Sequence, residues 1–203
     1  MESNARLGAP LKLLEKDSNL NLLSSSRLSV QTPYGLILTT AEDGSIDIRL
    51  SDSSAPNPTD QSSKNYRYHI SLDWHTTFLW YDVDWPGNPE GKNHVDPEVI
   101  EERYSKDWCD AYLKWVEKYD KSFERGECHL GSGGKLFTDP VERAAWALEG
   151  LLLGCWLALQ PGVSEVELIL HEKTGRVLKR EGLGTGARRF IEHLVSTGCP
   201  ELS

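Results

Sequence analysis

Polar and apolar residues alternate over Ser45–Leu50: Ile46, Ile48 and Leu50 share one side, and Ser45, Asp47 and Arg49 the other. Side chains of a strand point by turns to its two faces, so this pattern predicts a half-buried strand. Leu28–Thr40 is its partner, because Glu42-Asp43-Gly44 between them supplies the positive φ angles of a tight hairpin. The longest alternation runs from Tyr66 to Tyr81. Its even positions, Tyr68, Ile70, Leu72, Trp74, Thr76, Phe78 and Trp80, form a core face. Its odd positions, Arg67, His69, Ser71, Asp73, His75 and Thr77, form a polar face, and the period predicts one long strand. A second hairpin joins Val163–His171 to Arg176–Arg180 around Thr174-Gly175.

Helical spacing governs the rest. Ile100, Tyr104, Trp108, Tyr112, Trp115, Tyr119 and Phe123 mark one long amphipathic helix. It opens at Asp96-Pro97-Glu98 and ends near Gly126. Asp139-Pro140-x-Glu142 opens a second helix with a capping-box signature, and Ala144–Leu159 is apolar nearly all round, which predicts a buried central helix. A closing helix covers about Ala187–Val195. Strands and helices are segregated along the chain, so the fold class is α+β with a mainly antiparallel sheet. Residues 1–26 are polar and read as a loose arm; 27–203 reads as one domain. Within it, 51–64 is nearly all Ser, Pro, Asp, Asn and Thr, and reads as a mobile loop.

A chain of 203 residues with 38% hydrophobic and 26% charged residues can bury a core without disulfides or metals. Its net charge of −9 sets up a field that repels nucleic acid and anionic membrane, so neither is an expected partner. Cys109, Cys128, Cys155 and Cys199 form no CxxC pair and read as reduced thiols. The first residues carry charges throughout and read as no signal peptide. Asn57-Pro58-Thr59, the one glycosylation-like triplet, is disabled by its proline, and a cytoplasmic location is the expectation.

Ionisable residues gather in two places. Asp73 and His75 stand about 7 Å apart on one strand face, a spacing that suits a base and its orienting partner or two ligands of one metal. The same residues suit the solvent side of an antiparallel strand, and no metal site is assigned. Asp82, Asp84 and His94, with Trp85 and Asp96, collect in the loop beyond that strand, where acids can act as acid and base or favour turns. The candidate catalytic set is therefore Asp73, His75, Asp82, Asp84 and His94. Cys128-His129 are adjacent, and adjacent side chains rarely meet. Gly131-Ser132-Gly133-Gly134-Lys135 lacks the Ser or Thr of a phosphate loop.

The chain from Lys179 to Arg189 runs from a strand through Gly182, Gly184 and Gly186 into a helix, with Lys179, Arg180, Arg188 and Arg189 around them. Glycines let backbone N–H groups approach an anion, and a helix N-terminus adds partial positive charge. Gly182, Gly184, Gly186 and Arg188 are the candidate anion- or cofactor-binding residues; the cofactor itself is unassigned. Lys179, Gly182 and Gly184 resemble the Gln/Arg-x-x-Gly-x-Gly/Ala pyrophosphate loop of the N-acetyltransferase superfamily, with Lys in the first place. That resemblance implies an acyl-coenzyme A-dependent transferase, although the family continues with strands for which residues after this helix have no pattern. Two classes of function stand: a small-molecule enzyme or ligand-binding protein with an aromatic-walled cleft, and a protein-interaction module with an acidic, Trp-rich surface.

Overall fold

The computed structural model describes residues 29–51, 66–71, 78–83, 93–124, 137, 139–170 and 176–197. It is an α+β fold with two sheets and four helices among those residues. The arm at 1–26 and nearly all of the loop at 51–64 lie outside the described residues.

The first sheet has the order β1(Ser29–Gln31), β2(Leu36–Thr40), β3(Ile46–Leu50), all antiparallel. The stretch predicted as one strand over Leu28–Thr40 is therefore two, folded back at Thr32–Gly35. Gly35 takes φ 78° there, and the Thr32 hydroxyl accepts from the Leu36 N–H at 2.9 Å. Asp43 caps the next turn by accepting from the Ser45 N–H at 2.9 Å. Ile48 is buried while Asp47 and Arg49 are exposed, as the alternation requires.

The second sheet runs β6(Asn93–His94), β5(Leu79–Val83), β4(Tyr66–Ser71), β7(Val163–Ile169), β8(Arg176–Leu178). Its neighbours are antiparallel except at the centre, where β4 and β7 run parallel. The strand predicted over Tyr66–Tyr81 is a hairpin, with Ile70 opposite Leu79 and His69 opposite Trp80. The reversal shifts the parity. Leu79 faces the core with Ile70, while Trp80, assigned to the core face from its even number, shares the face of His69 and is only half buried. Phe78 enters β5 with φ 59°, a left-handed conformation that costs a non-glycine residue about 1–2 kcal/mol. Its ring is fully buried edge-on to Tyr119 at 5.0 Å and Trp115 at 6.3 Å, which offsets that cost.

The long helix also divides. α1(Pro97–Arg103) stops at Tyr104, and α2(Lys106–Glu124) restarts with the Ser105 hydroxyl accepting from the Trp108 N–H at 3.3 Å. α3(Pro140–Ala158) opens on Asp139, whose carboxylate accepts from the Val141 N–H at 2.8 Å. Arg143 on its first turn is buried and donates to the Phe137 carbonyl at 2.6 Å. α4(Leu183–Thr197) begins before the predicted Ala187.

α3 lies at the centre. It packs on α2, on β3, β7 and β8, and on α4. Gly154 brings it close to the second sheet: a Cβ there would stand 2.9 Å from Leu178 and near Val166 and Ile70. Between α2 and α3, Trp115 and Trp146 stack with centroids 4.6 Å apart and planes 9° from parallel. Each indole N–H donates to the other residue's carbonyl, at 2.8 and 3.0 Å. Trp108 donates to the Leu153 carbonyl at 3.1 Å and stacks on Trp156 at 5.5 Å. These four indoles are almost wholly buried.

Trp146→Ala is expected to cost about 3–5 kcal/mol by urea denaturation, in the range of large core truncations. Trp115→Ala with Trp146→Ala should cost clearly less than the sum of the two, because each removes the same stack and the same pair of hydrogen bonds. Additive losses would show that the two rings act independently.

Candidate functional site

Helices meet the second sheet on the face of Ile70, Val166 and Leu178. Its other face carries three groups of ionisable residues. His69 is buried and its Nδ1 lies 2.8 Å from Glu167 Oε2 on the neighbouring strand. Trp80 meets the His94 ring edge-on at 5.1 Å, and His94 Nδ1 lies 3.8 Å from Asp96. Arg67 and Lys179 both pair with Glu165, the lysine at 2.9 Å. Lys179 and then Arg67 hold the Glu165 carboxyl below the usual carboxylate range.

Of the sequence-predicted catalytic residues, the register sets Asp82 opposite Arg67, next to the His69–Trp80 pair, and His94 opposite Trp80. The hairpin and β6 thus bring these two positions to neighbouring strands. Asp73, His75 and Asp84 lie outside the described residues, as do Cys128, His129 and Gly131–Lys135. His69, read from sequence as an outer polar residue, is instead an enclosed partner of Glu167; its partner is ninety-eight positions away and no local pattern marks it.

The glycine segment has a structural account. Gly182 takes φ 77° before α4, and Gly184 and Gly186 lie inside the first turns of that helix. A Cβ on Gly184 would fall 1.8 Å from the Ile46 carbonyl oxygen, so the helix can press on β3 only with glycine there. Gly186 would meet Leu178 at an ordinary 3.8 Å. Arg188 pairs with Glu192 at 2.8 Å, and Arg180 donates to the Leu159 carbonyl at 2.6 Å. A shallow hollow of about 400 Å³ at this helix start is lined by Lys179, Glu181, Gly182, Thr185 and Arg189 among others.

A larger groove, about 440 Å³, lies between the β1–β2 turn, α2 and α3. Pro33, Tyr34, Ala111, Trp115, Leu152 and Leu153 form its apolar part. Asp107, Asp110, Lys114, Lys118 and Glu149 stand along it. Lys118 holds Glu149 with both oxygens, at 2.7 and 2.8 Å, and Asp110 meets Lys106 at 3.4 Å. Asp107 and Lys114 make no ion pair among the described residues. Burial pushes the Tyr34 hydroxyl up, so it stays protonated. Sequence reasoning missed this groove because its lining is drawn from three segments far apart in the chain.

Burial also pushes the Cys109 and Cys155 thiols up to about 12, and a protonated buried thiol is a poor nucleophile. Among the described residues no cluster of His, Cys, Asp and Glu has the makings of a metal site, and no described helix is long and apolar enough to cross a membrane. Comparison with protein-family models, curated proteins and solved structures returns no match.

Two outcomes follow from this geometry. Gly184→Ala should lose about 3 kcal/mol, at the upper end of overpacking costs, whereas Gly186→Ala should be neutral or gain up to about 1 kcal/mol from helix propensity. Thermal melts of both variants check the contrast. Glu165, with its folded pKa depressed, contributes stability that is full at neutral pH and fades as pH falls through the carboxylate range. The stability gap between the natural chain and Glu165→Gln, about 1 kcal/mol or less at pH 7 for such partly exposed partners, should shrink as pH falls through the carboxylate range in urea titrations.

Proposed function

We propose that the chain is a ligand-binding protein that seats a small, peptide-like zwitterion in the groove between the β1–β2 turn, α2 and α3. The observation that carries this is a pair of opposite charges without partners above an apolar floor. Asp107 and Lys114 are two turns apart on α2, about 10 Å along its axis at 1.5 Å per residue. Ala111 stands between them, and the largely buried Trp115, Leu152 and Leu153 border the groove as its apolar wall. A cavity of about 440 Å³ is within the range of small-ligand sites, which combine apolar walls with a few placed polar groups. An extended tripeptide spans about 10 Å, which matches the separation of the two charges.

Ligand-observed NMR with tripeptides carrying an apolar central residue tests the reading. Peptides with both termini free should bind several-fold more tightly than acetylated or amidated ones, and Ala111→Trp, which fills the groove, should abolish the signal while melting within a few degrees of the natural chain. Equal binding by capped peptides, or binding retained in Ala111→Trp, would refute it.

A further inference from the structure

α1 ends against the inner face of β4 at Arg103. Its guanidinium lies 4.4 Å from the Tyr66 ring centroid, and Nη1 donates to the Tyr68 hydroxyl at 3.0 Å. Tyr66, Tyr68 and Tyr81 pack with centroids 6.0–6.4 Å apart. Tyr104, one residue beyond the helix, adds a fourth hydroxyl. That hydroxyl is buried and faces Tyr68 and Arg103, yet it completes no well-formed hydrogen bond among the described residues.

Arg103 is half buried, and no described carboxylate lies within ion-pair range of it; its partners are Tyr66 and Tyr68. The chain has 31 Asp and Glu residues against 22 Lys and Arg, so an arginine left without an acid is not explained by a shortage of acids. Most of its donor fork is unused. A half-buried cation without a counter-charge and a buried hydroxyl without an acceptor are both unfavourable, and a single oxyanion relieves both. Burial raises the Tyr68 and Tyr104 hydroxyls, so each keeps its hydrogen as a potential donor. The cation–π contact with Tyr66 fixes the plane of the guanidinium and leaves its edge for a two-pronged contact.

We propose that Arg103 and Tyr104, on the tyrosine cluster of β4 and β5, bind the oxyanion of a small ligand, a carboxylate or phosphate group. This site is separate from the groove and does not depend on how peptides behave there.

Melting of the full chain in sodium phosphate, sodium succinate and sodium chloride at matched ionic strength tests it. At about ten times its Kd, an anion that binds only the folded chain raises Tm by roughly 3–6 °C for a protein of this size. Phosphate or succinate should exceed chloride by that amount, and the larger of the two shifts assigns the oxyanion. Arg103→Gln should abolish the difference, and Arg189→Gln, at the start of α4, should keep it. Tyr104→Phe should melt no lower than the natural chain in chloride and respond less to the anion. If Arg103→Gln fails to fold, titration calorimetry on Arg103→Lys, which keeps the charge and loses the fork, should show binding weakened about tenfold. The proposal falls if neither anion exceeds chloride, if Arg103→Gln keeps the shift, if Arg103→Lys binds as tightly as the natural chain, or if only Arg189→Gln loses the shift.

Discussion

Trp115 and Trp146 hold each other by stacking and by two hydrogen bonds that run in opposite directions, from each indole to the other's carbonyl. An indole N–H buried without an acceptor is costly, so burying each of these rings is favoured when the other helix presents its backbone at the right height. That condition fixes the rotation and offset of α2 on α3. Gly150 is part of it, since a Cβ there would fall 2.6 Å from the Trp115 ring. α3 then carries the constraint onward, through Gly154, to the sheet formed by β4, β7 and β8.

The same pair shapes the groove. Trp115 is almost wholly buried against Trp146 and also borders the groove, so the packing that joins the helices bears on the shape of the cavity. Four of the seven tryptophans, Trp108, Trp115, Trp146 and Trp156, are enclosed in this core. Among the described residues the surface features are therefore built from charge more than from indole. Some of those charges are matched, as in Arg67–Glu165–Lys179 and Lys118–Glu149. Asp107, Lys114 and Arg103 make no ion pair among the described residues, and the same holds for Asp47, Arg49 and the buried Arg143.

The glycines before and within α4 show how one sequence feature supports two physical readings. Alternate glycines ahead of a helix suit backbone approach to an anion, and they equally suit backbone approach to another backbone. Gly184 against the Ile46 carbonyl is the second kind of contact. Since β3 is more than a hundred residues away from α4, spacing alone could not distinguish the two.

Local chemistry was legible without coordinates. Asp139-Pro140 starts α3 and Asp43-Gly44 turns the first hairpin, because capping and turn conformations depend on a few adjacent residues. The buried character of α3 followed from its apolar composition, and the α+β class from the order of the elements. Alternation also told which residues of β3 and β4 face inward, but it is blind to a chain reversal, so one predicted strand became β4 and β5 and Trp80 moved to the face of His69. Ser105 interrupts a helical stripe that continues in phase on both sides, and for that reason the period did not show the break. The His69–Glu167 pair, the groove and the Arg103–tyrosine cluster are each made by residues from separate segments. Sequence patterns record how a residue sits relative to its neighbours in the chain, whereas these sites arise from which segments pack together, and that is decided only when the helices and sheets close on one another.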